Sequence, residues 1–428
     1  MKRIDGQLFR ATALCFVVCL QATFLVPYAV LVPGERTNVF TALLVLLPLL
    51  QVAWKRLRTE RSAAFPWRAI APWLVLAAGL GLSASLSPAP FPAALRALSF
   101  IAPAVGGLAC GHGLFRSEKA RRYLFHMLTV CFAGLAISHL IFGVAPSFLG
   151  LHHHALAGAL VLLSAGPIHM AGEGGHLRRA LALALLVAGA VVCFVAGSRF
   201  VVLLPFVLIP VYLAFRSISL RSALLVLLCS AIVAGGFFVI YPTKVLRVEN
   251  YESTYYRVEA FPATWAIVKQ HPLLGVGIRT PRQQFLESYE PVSGMATKAE
   301  FFGTLERNVT WDNQYLSLLC GIGVPLSLLY FFLAGRLLAG YLRRAWRQEI
   351  DFPAERALTF ALLASVIHFT VHDGLFYPQI SWFFHLLLGV GAFYLPAGAA
   401  QRAGAARPAL VPESDDARAT GTLRCVSN

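Results

Sequence analysis

The feature that most constrains this chain is an asymmetry in its hydropathy. About a dozen apolar segments follow one another, and one long polar stretch, Pro242 to Trp311, interrupts them. Each apolar segment is close to the roughly 20 residues that a helix needs to cross a bilayer. Hydrophobic residues make up 58% of the 428 and the mean hydropathy is +0.68, which excludes an ordinary soluble domain. The expected fold is all-α, a polytopic integral membrane protein of about 12 transmembrane helices with one large loop.

Boundaries of charge, proline and glycine place the spans at 8–32, 38–54, 69–86, 91–115, 123–143, 154–171, 178–196, 199–215, 220–241, 312–342, 353–371 and 376–396. Residues 1–241 then form nine spans, 242–311 the loop, with short interfacial helices, and 312–396 the last three spans. The stretch 397–428, rich in Ala, Gly, Pro and charge, is expected to be a disordered tail. The first segment follows Lys2 and Arg3, spans by length and shows no small-residue cleavage site, so it is expected to stay as an uncleaved anchor.

Charge gives the topology. With the N-terminus in the cytoplasm, the inner connections carry Lys55, Arg56, Arg58, Arg61 and Arg68, then Arg116, Lys119, Arg121 and Arg122, then Arg178, Arg179, Arg216 and Arg221, then Arg336, Arg343, Arg344, Arg347 and Arg356. Together with Lys2, Arg3 and Arg10 and the tail residues Arg402, Arg407, Arg418 and Arg424, this puts 25 of the 36 Lys and Arg inside, as the positive-inside rule requires. Both termini are therefore expected in the cytoplasm. The net charge of +16 reads as topology and contact with anionic lipid, with no nucleic acid partner. Seven of the eight cysteines fall in spans and Cys425 in the tail, so neither a disulfide framework nor a CxxC zinc pattern is expected.

Ionisable groups gather at the exterior helix ends: Arg96, Arg199, His368, His372 and Asp373. A charge in or beside hydrocarbon costs several kcal/mol or finds a partner, so these positions need a reason, whether snorkelling to headgroups or a site. The polar insert is densely charged, and its aromatics, among them Tyr255, Tyr256, Phe261, Trp265, Phe301 and Trp311, suit the apolar underside of helices on the membrane surface, with 254–270 the best candidate.

Five pieces in order carry a resemblance: Gly197-Ser198-Arg199 opening a span; Tyr256-Arg257 ahead of Trp265; His271-Pro272-Leu273-Leu274-Gly275-Val276-Gly277; Asp312-Asn313-Gln314-Tyr315-Leu316; and Gly321-Ile322-Gly323. Over Leu181 to Pro325 the chain resembles the O-antigen ligase and polymerase superfamily of bacterial envelopes. The resemblance implies a GT-C-like helical fold in the bacterial inner membrane. It also implies transfer of a glycan from an undecaprenyl diphosphate carrier to a sugar hydroxyl at the periplasmic face, where the insert would lie. Relatives commonly have His-Asn where this chain has Asp312-Asn313, and the ligases share that histidine, which tips the expectation toward a polymerase of exopolysaccharide or O-antigen repeat units. A ligase acting on lipid A core is the alternative, and a polysaccharide or lipid transporter the weaker one. Expected partners are the lipid-linked oligosaccharide, membrane lipid, and flippase and chain-length regulator proteins.

Breaking a sugar–diphosphate bond needs positive charge where the leaving group develops and an acceptor for the hydroxyl proton. Guanidinium groups offer forked donors to phosphate oxygens, so Arg199 and Arg257 are the expected clamp, with Arg279 and Arg282 behind them. Their other readings are an interface anchor for Arg199 and a surface ion pair with Glu252 or Glu259 for Arg257. Asp312 fits either a base or a helix N-cap. His271 is a second candidate base or shapes the turn before Pro272. Gly275 and Gly277 allow the backbone to approach a phosphate or another helix. The motifs add Tyr256 and Asn313 to the substrate-binding set. His372, with His368 and Asp373, lines an acceptor cavity or belongs to a polar core. Adjacent histidines at 152–154 point apart and lack companions, and Asp415-Asp416 lies in the tail, so no metal and no cofactor are expected.

Overall fold

A computed structural model describes residues 67–115, 118–142, 153–173, 175–195, 251–280, 282–294, 296–307, 311, 313–346, 353–370 and 372–392. The expected spans at 8–32, 38–54, 199–215 and 220–241, the tail 397–428, and the residues Arg199, Asp312 and His152 lie outside them. Among the described residues every regular element is a helix. Numbered over those residues, they are α1 (Trp67–Ser85), α2 (Pro90–Leu114), α3 (Glu118–Phe142), α4 (His153–Leu163), α5 (Ala165–Glu173), α6 (His176–Val195), α7 (Tyr251–Gln270), α8 (Lys298–Arg307), α9 (Gln314–Trp346), α10 (Pro353–His368) and α11 (Pro378–Ala392).

The chain is a multi-pass membrane protein. Four described stretches are long and apolar enough to cross a bilayer: Pro90–His112, Ala120–Ile141, His176–Cys193 and Gln314–Arg343. Ala71–Ser85, Leu156–Gly172, Arg356–His368 and Ile380–Val390 are shorter apolar helices. The segment expected as one helix at 154–171 is divided into α4 and α5 at Ser164. Pro167 has no N–H to give the Leu163 carbonyl, so that bond is missing, while Ser164 N to Leu160 O (2.9 Å) and Ile168 N to Ser164 O (3.0 Å) keep helical spacing across the junction.

Between membrane helices the hydrophobic effect does little, and close backbone approach decides which faces pair. Gly107 and Gly111 put a small-residue stripe on α2, and α11 lies directly in it. A Cβ at Gly111 would collide with the Leu386 carbonyl and stand 2.7 Å from the Val390 amide nitrogen, while one at Gly389 would meet the Leu108 carbonyl. In the same way Gly166 on α5 faces the backbone of Thr129 on α3. Around the α2–α11 pair, Trp73 of α1, Phe100 of α2, and Tyr330 of α9 surround His385 of α11. His385 shares a 3.2 Å hydrogen bond with the Tyr330 hydroxyl and a 2.6 Å one with the Ser381 carbonyl. A buried imidazole is thereby provided with partners at both nitrogens.

The insert has its own core. Tyr255, Tyr256, Ala260, Ala263 and Ile267 of α7 pack with Phe301 and Leu305 of α8, with Val276, Leu286 and Trp311, and with Cys320 of α9. The aromatics therefore divide: Tyr255, Tyr256, Phe301 and Trp311 face this core rather than an apolar underside, while Phe261 and Trp265 face outward. Helix α8 begins with a reciprocal cap. The Glu300 carboxylate accepts from the Thr297 amide at 2.8 Å, and the Glu300 amide donates to the Thr297 hydroxyl at 3.3 Å.

Candidate functional site

The site is built on a broken helix. At Gly323 the backbone of α9 leaves helical geometry (φ 74°, ψ 174°), and Pro325 follows. In an unbroken helix the Cys320 carbonyl would take the N–H of Val324, while Pro325 has no N–H to give the Gly321 carbonyl. Here the Gly-rich loop from His271 to Gly277 supplies the partners. Val276 N donates to Cys320 O at 2.9 Å, Gly277 N to Gly321 O at 2.9 Å, and Val324 N to Pro272 O at 2.8 Å. Non-helical backbone within the apolar stretch Gln314–Arg343 is thus satisfied by protein. Gly275 (φ 65°) and Gly277 (φ 96°) adopt conformations that suit glycine, and a Cβ at Gly275 would collide with the Cys320 carbonyl. The close approach made by Gly275 is to helix α9, whereas a Cβ at Gly277 would meet the Thr280 and Ser87 hydroxyls. The loop is also tied to α1, where Ser83 Oγ donates to Leu274 O at 2.6 Å.

Just beyond the loop, two arginines sit in unusual places. Arg279 has φ 53°, the one positive value outside glycine among the described residues. Arg282 is 4% exposed. It lies 4.6 Å from the Trp311 ring, and its Nη2 reaches Ser317 Oγ at 3.5 Å, an oxygen that also accepts from the Trp311 amide at 3.2 Å. Its Nη1 has no hydrogen-bond partner among the described residues.

The head of α9 adds a second such donor. Asn313 is the N-cap, its Oδ1 accepting from the amides of Tyr315 (3.0 Å) and Leu316 (3.1 Å). That occupies the capping place that the sequence also offered to Asp312. Gln314 takes the Leu375 amide on its Oε1 at 2.8 Å, and its buried Nε2 has no partner among the described residues. Gln314 and Ser317 are three residues apart on one helical face, so Nε2 and the Arg282 group belong to the same side of the helix head.

The connection from α10 to α11 closes over this head. Asn313 Nδ2 donates to Thr370 O at 2.8 Å, Gln314 N to Phe369 O at 2.9 Å, and the Tyr315 hydroxyl to Val366 O at 2.7 Å. The connection carries three buried ionisable groups. His372 Nδ1 stands 3.5 Å from Asp373 Oδ1, and the rings of His368 and His372 are 5.3 Å apart. The structure therefore groups Arg282, Asn313 and Gln314 with the segment holding His368, His372 and Asp373. At the sequence level Gln314 figures only as part of the Asp312–Leu316 motif and Ser317 not at all, because a serine is unremarkable until the fold brings Arg282 against it.

Of the other expected residues, Arg199 and Asp312 lie outside the described residues. Arg257 is on the exposed face of α7. Tyr256 is buried, its ring 5.7 Å from that of Trp311. His271 is half-buried against Phe285, ring centroids 5.2 Å apart. Glu259, a candidate partner for Arg257, is committed elsewhere: its carboxylate accepts from the Tyr289 hydroxyl (2.6 Å) and the amides of Val292 (3.2 Å) and Ser293 (2.6 Å). Burial pushes the Glu259 carboxyl up, but the hydrogen bonds from Ser293, Tyr289 and Val292 outweigh it and hold the group below the usual carboxylate range. Among the described residues no cluster of three His, Cys, Asp or Glu is arranged to hold a metal.

These features define a class: a multi-pass helical membrane protein whose charged insert is hydrogen-bonded onto a broken transmembrane helix. Residues 183–331, from within α6 through the insert to α9, match the family model described as O-antigen ligase, and the match supports the O-antigen ligase and polymerase superfamily for this chain. No curated protein matches it.

Proposed function

We propose that the protein is a glycosyltransferase of the bacterial inner membrane that polymerises undecaprenyl-diphosphate-linked repeat units at the periplasmic face. In this reading the chain has about 12 spans in a GT-C-like arrangement, both termini cytoplasmic and the insert periplasmic. The observation that carries it is Arg282, buried against Ser317 at the head of the broken helix with its Nη1 unfilled among the described residues, as is Nε2 of Gln314 one turn away on that helix. A buried guanidinium without an anion costs several kcal/mol, and phosphate oxygens meet that need with forked, charge-assisted hydrogen bonds. Arg279, three residues before Arg282, adds a second positive charge to the segment after the loop.

The reaction needs three tasks. A hydroxyl on one lipid-linked glycan attacks the anomeric carbon of another, the bond from that carbon to the diphosphate oxygen breaks, and undecaprenyl diphosphate leaves. Arg199 and Arg257 neutralise the departing diphosphate, with Arg279 and Arg282 behind them, and Asp312 takes the hydroxyl proton. Asn313 supplies the side-chain cap of α9. Guanidinium groups supply the charge that a metal would otherwise bring, so neither metal nor cofactor is required. His271, Gly275, Gly277, Tyr256 and Asn313 shape the site around the diphosphate and sugars, and His372 borders the acceptor side.

The test uses purified protein with one defined undecaprenyl-diphosphate oligosaccharide, without metal or nucleotide. A ladder of longer lipid-linked products is expected. Asp312→Asn suppresses it, Arg199→Lys weakens it, and Arg282→Met lowers it by about 100-fold. Replacing a buried charge with an apolar residue of similar volume tends to be neutral for stability, so Arg282→Met should keep its melting temperature. A single transfer to added lipid A core without a ladder would favour the ligase. Full ladder yield from correctly inserted Arg199→Ala and Arg257→Ala variants would overturn the arginine clamp, and no product from the unaltered protein with either acceptor would overturn glycosyl transfer altogether.

A further inference from the structure

Helix α7 has two faces, and only the inner one is accounted for by the insert's core. On the outer one Val258, Phe261 and Trp265 are 48%, 68% and 55% exposed, and Leu273, just past the helix end, is 68% exposed. Spacings of three and four residues align the first three along one side of the helix. Lys269, a further turn on, holds its Nζ 5.9 Å from the Trp265 ring centre. Single exposed apolar residues are ordinary, but an aligned aromatic stripe ending in a lysine is not.

The depth of this stripe is fixed by hydrogen bonds. Just past the end of α7, the Pro272 carbonyl accepts from Val324, which lies within the apolar stretch Gln314–Arg343, and the Leu274 carbonyl accepts from Ser83 near the end of α1. The C-terminal end of α7 therefore stands level with the α1–α2 turn, where Leu86 and Phe91 are also exposed. Apolar side chains from two separate parts of the sequence thus share one level at the end of the membrane helices, which is where a bilayer passes from hydrocarbon to headgroups.

We infer that α7 is half-sunk in the leaflet on the insert's side, with Val258, Phe261, Trp265 and Leu273 among the lipid headgroups and upper acyl chains. Trp and Phe suit that zone, and Lys269 can lay its stem along the apolar stripe while its ammonium reaches lipid phosphate. The occupant is phospholipid. A protein partner would have to intrude at a level already lined by Leu86 and Phe91 of the membrane helices. The stripe also leads to Arg257, one turn before Phe261 on the exposed side of α7, so that residue stands beside the surface along which any lipid-borne diphosphate travels. This inference does not depend on glycosyl transfer.

The test places full-length protein in nanodiscs of phosphatidylcholine brominated either high or low on the acyl chain, and isolates Trp265 by subtracting the emission of a Trp265→Phe variant. The expected result is loss of the Trp265 emission, greater with the shallow bromines, and little quenching by aqueous iodide. Phe261→Trp in the Trp265→Phe background moves the probe one turn and should behave the same way. Emission from both positions that ignores brominated lipid would overturn the inference, whether iodide quenches it, as for a solvent-facing helix, or not, as for a face covered by a second copy of the chain. Neither arm uses activity, so failure here leaves the glycosyltransferase reading to its own assay.

Discussion

Glu259 and Arg282 show two fates of a buried charge. Arg282 is partly met by a hydroxyl, a thiol and an aromatic ring, and keeps a donor open among the described residues. Glu259 is met fully, by donors that all come from one loop, 289–293. Because its folded-state affinity for a proton is lowered, the stability it contributes is present above the unfolded carboxylate value of about 4.3 and is lost as pH falls through the lower folded value. The expected outcome is that hydrogen-exchange protection of the Val292 and Ser293 amides, corrected for intrinsic rate, declines below about pH 4. Glu259→Gln should remove that dependence and cost about 2 kcal/mol in a melt in detergent. Protection that does not change with pH would mean that the loop is held by something else. The sequence displayed the charges of both residues. It did not display which would be answered, because the answering groups are brought in by the turn after Gln270 and by the break in α9.

At the scale of elements, a short motif explains a broken helix. Gly275 and Gly277 on one segment, and Gly321, Gly323 and Pro325 on another, fit together because the carbonyls released by the break are taken by the loop's amides. Gly275→Ala is expected to cost at least about 2 kcal/mol, since it adds left-handed strain to a collision with the Cys320 carbonyl. Gly294 supplies the control: it also has positive φ (66°), but a Cβ there meets open space, so Gly294→Ala should cost about 1 kcal/mol. Equal losses for the two variants in thermal melts would show that strain alone matters and that the loop–helix contact does not. The sequence located this element correctly, as a glycine-rich turn ahead of a span. It left open whether the glycines approach a helix or a phosphate, because both require the same absent side chain.

For the molecule as a whole, assembly rests on close helix pairs such as α2 with α11, which are far apart in the chain. Gly111→Val is expected to prevent that docking at a cost of about 3 kcal/mol or more, lowering the yield of folded protein, whereas Gly134→Val on α3, where a Cβ meets nothing nearby, should be tolerated. Comparable yields by fluorescence-detected size exclusion would argue against the small-residue stripe as the reason these helices meet. By itself the sequence determined that the chain is helical and crosses a membrane several times, and where its polar insert lies, because hydropathy and charge act locally and lipid enforces them segment by segment. Which charges are buried, which glycines touch and which side of α7 faces outward were decided only in the tertiary structure. Those outcomes depend on contacts between segments tens to hundreds of residues apart, and no local pattern encodes them.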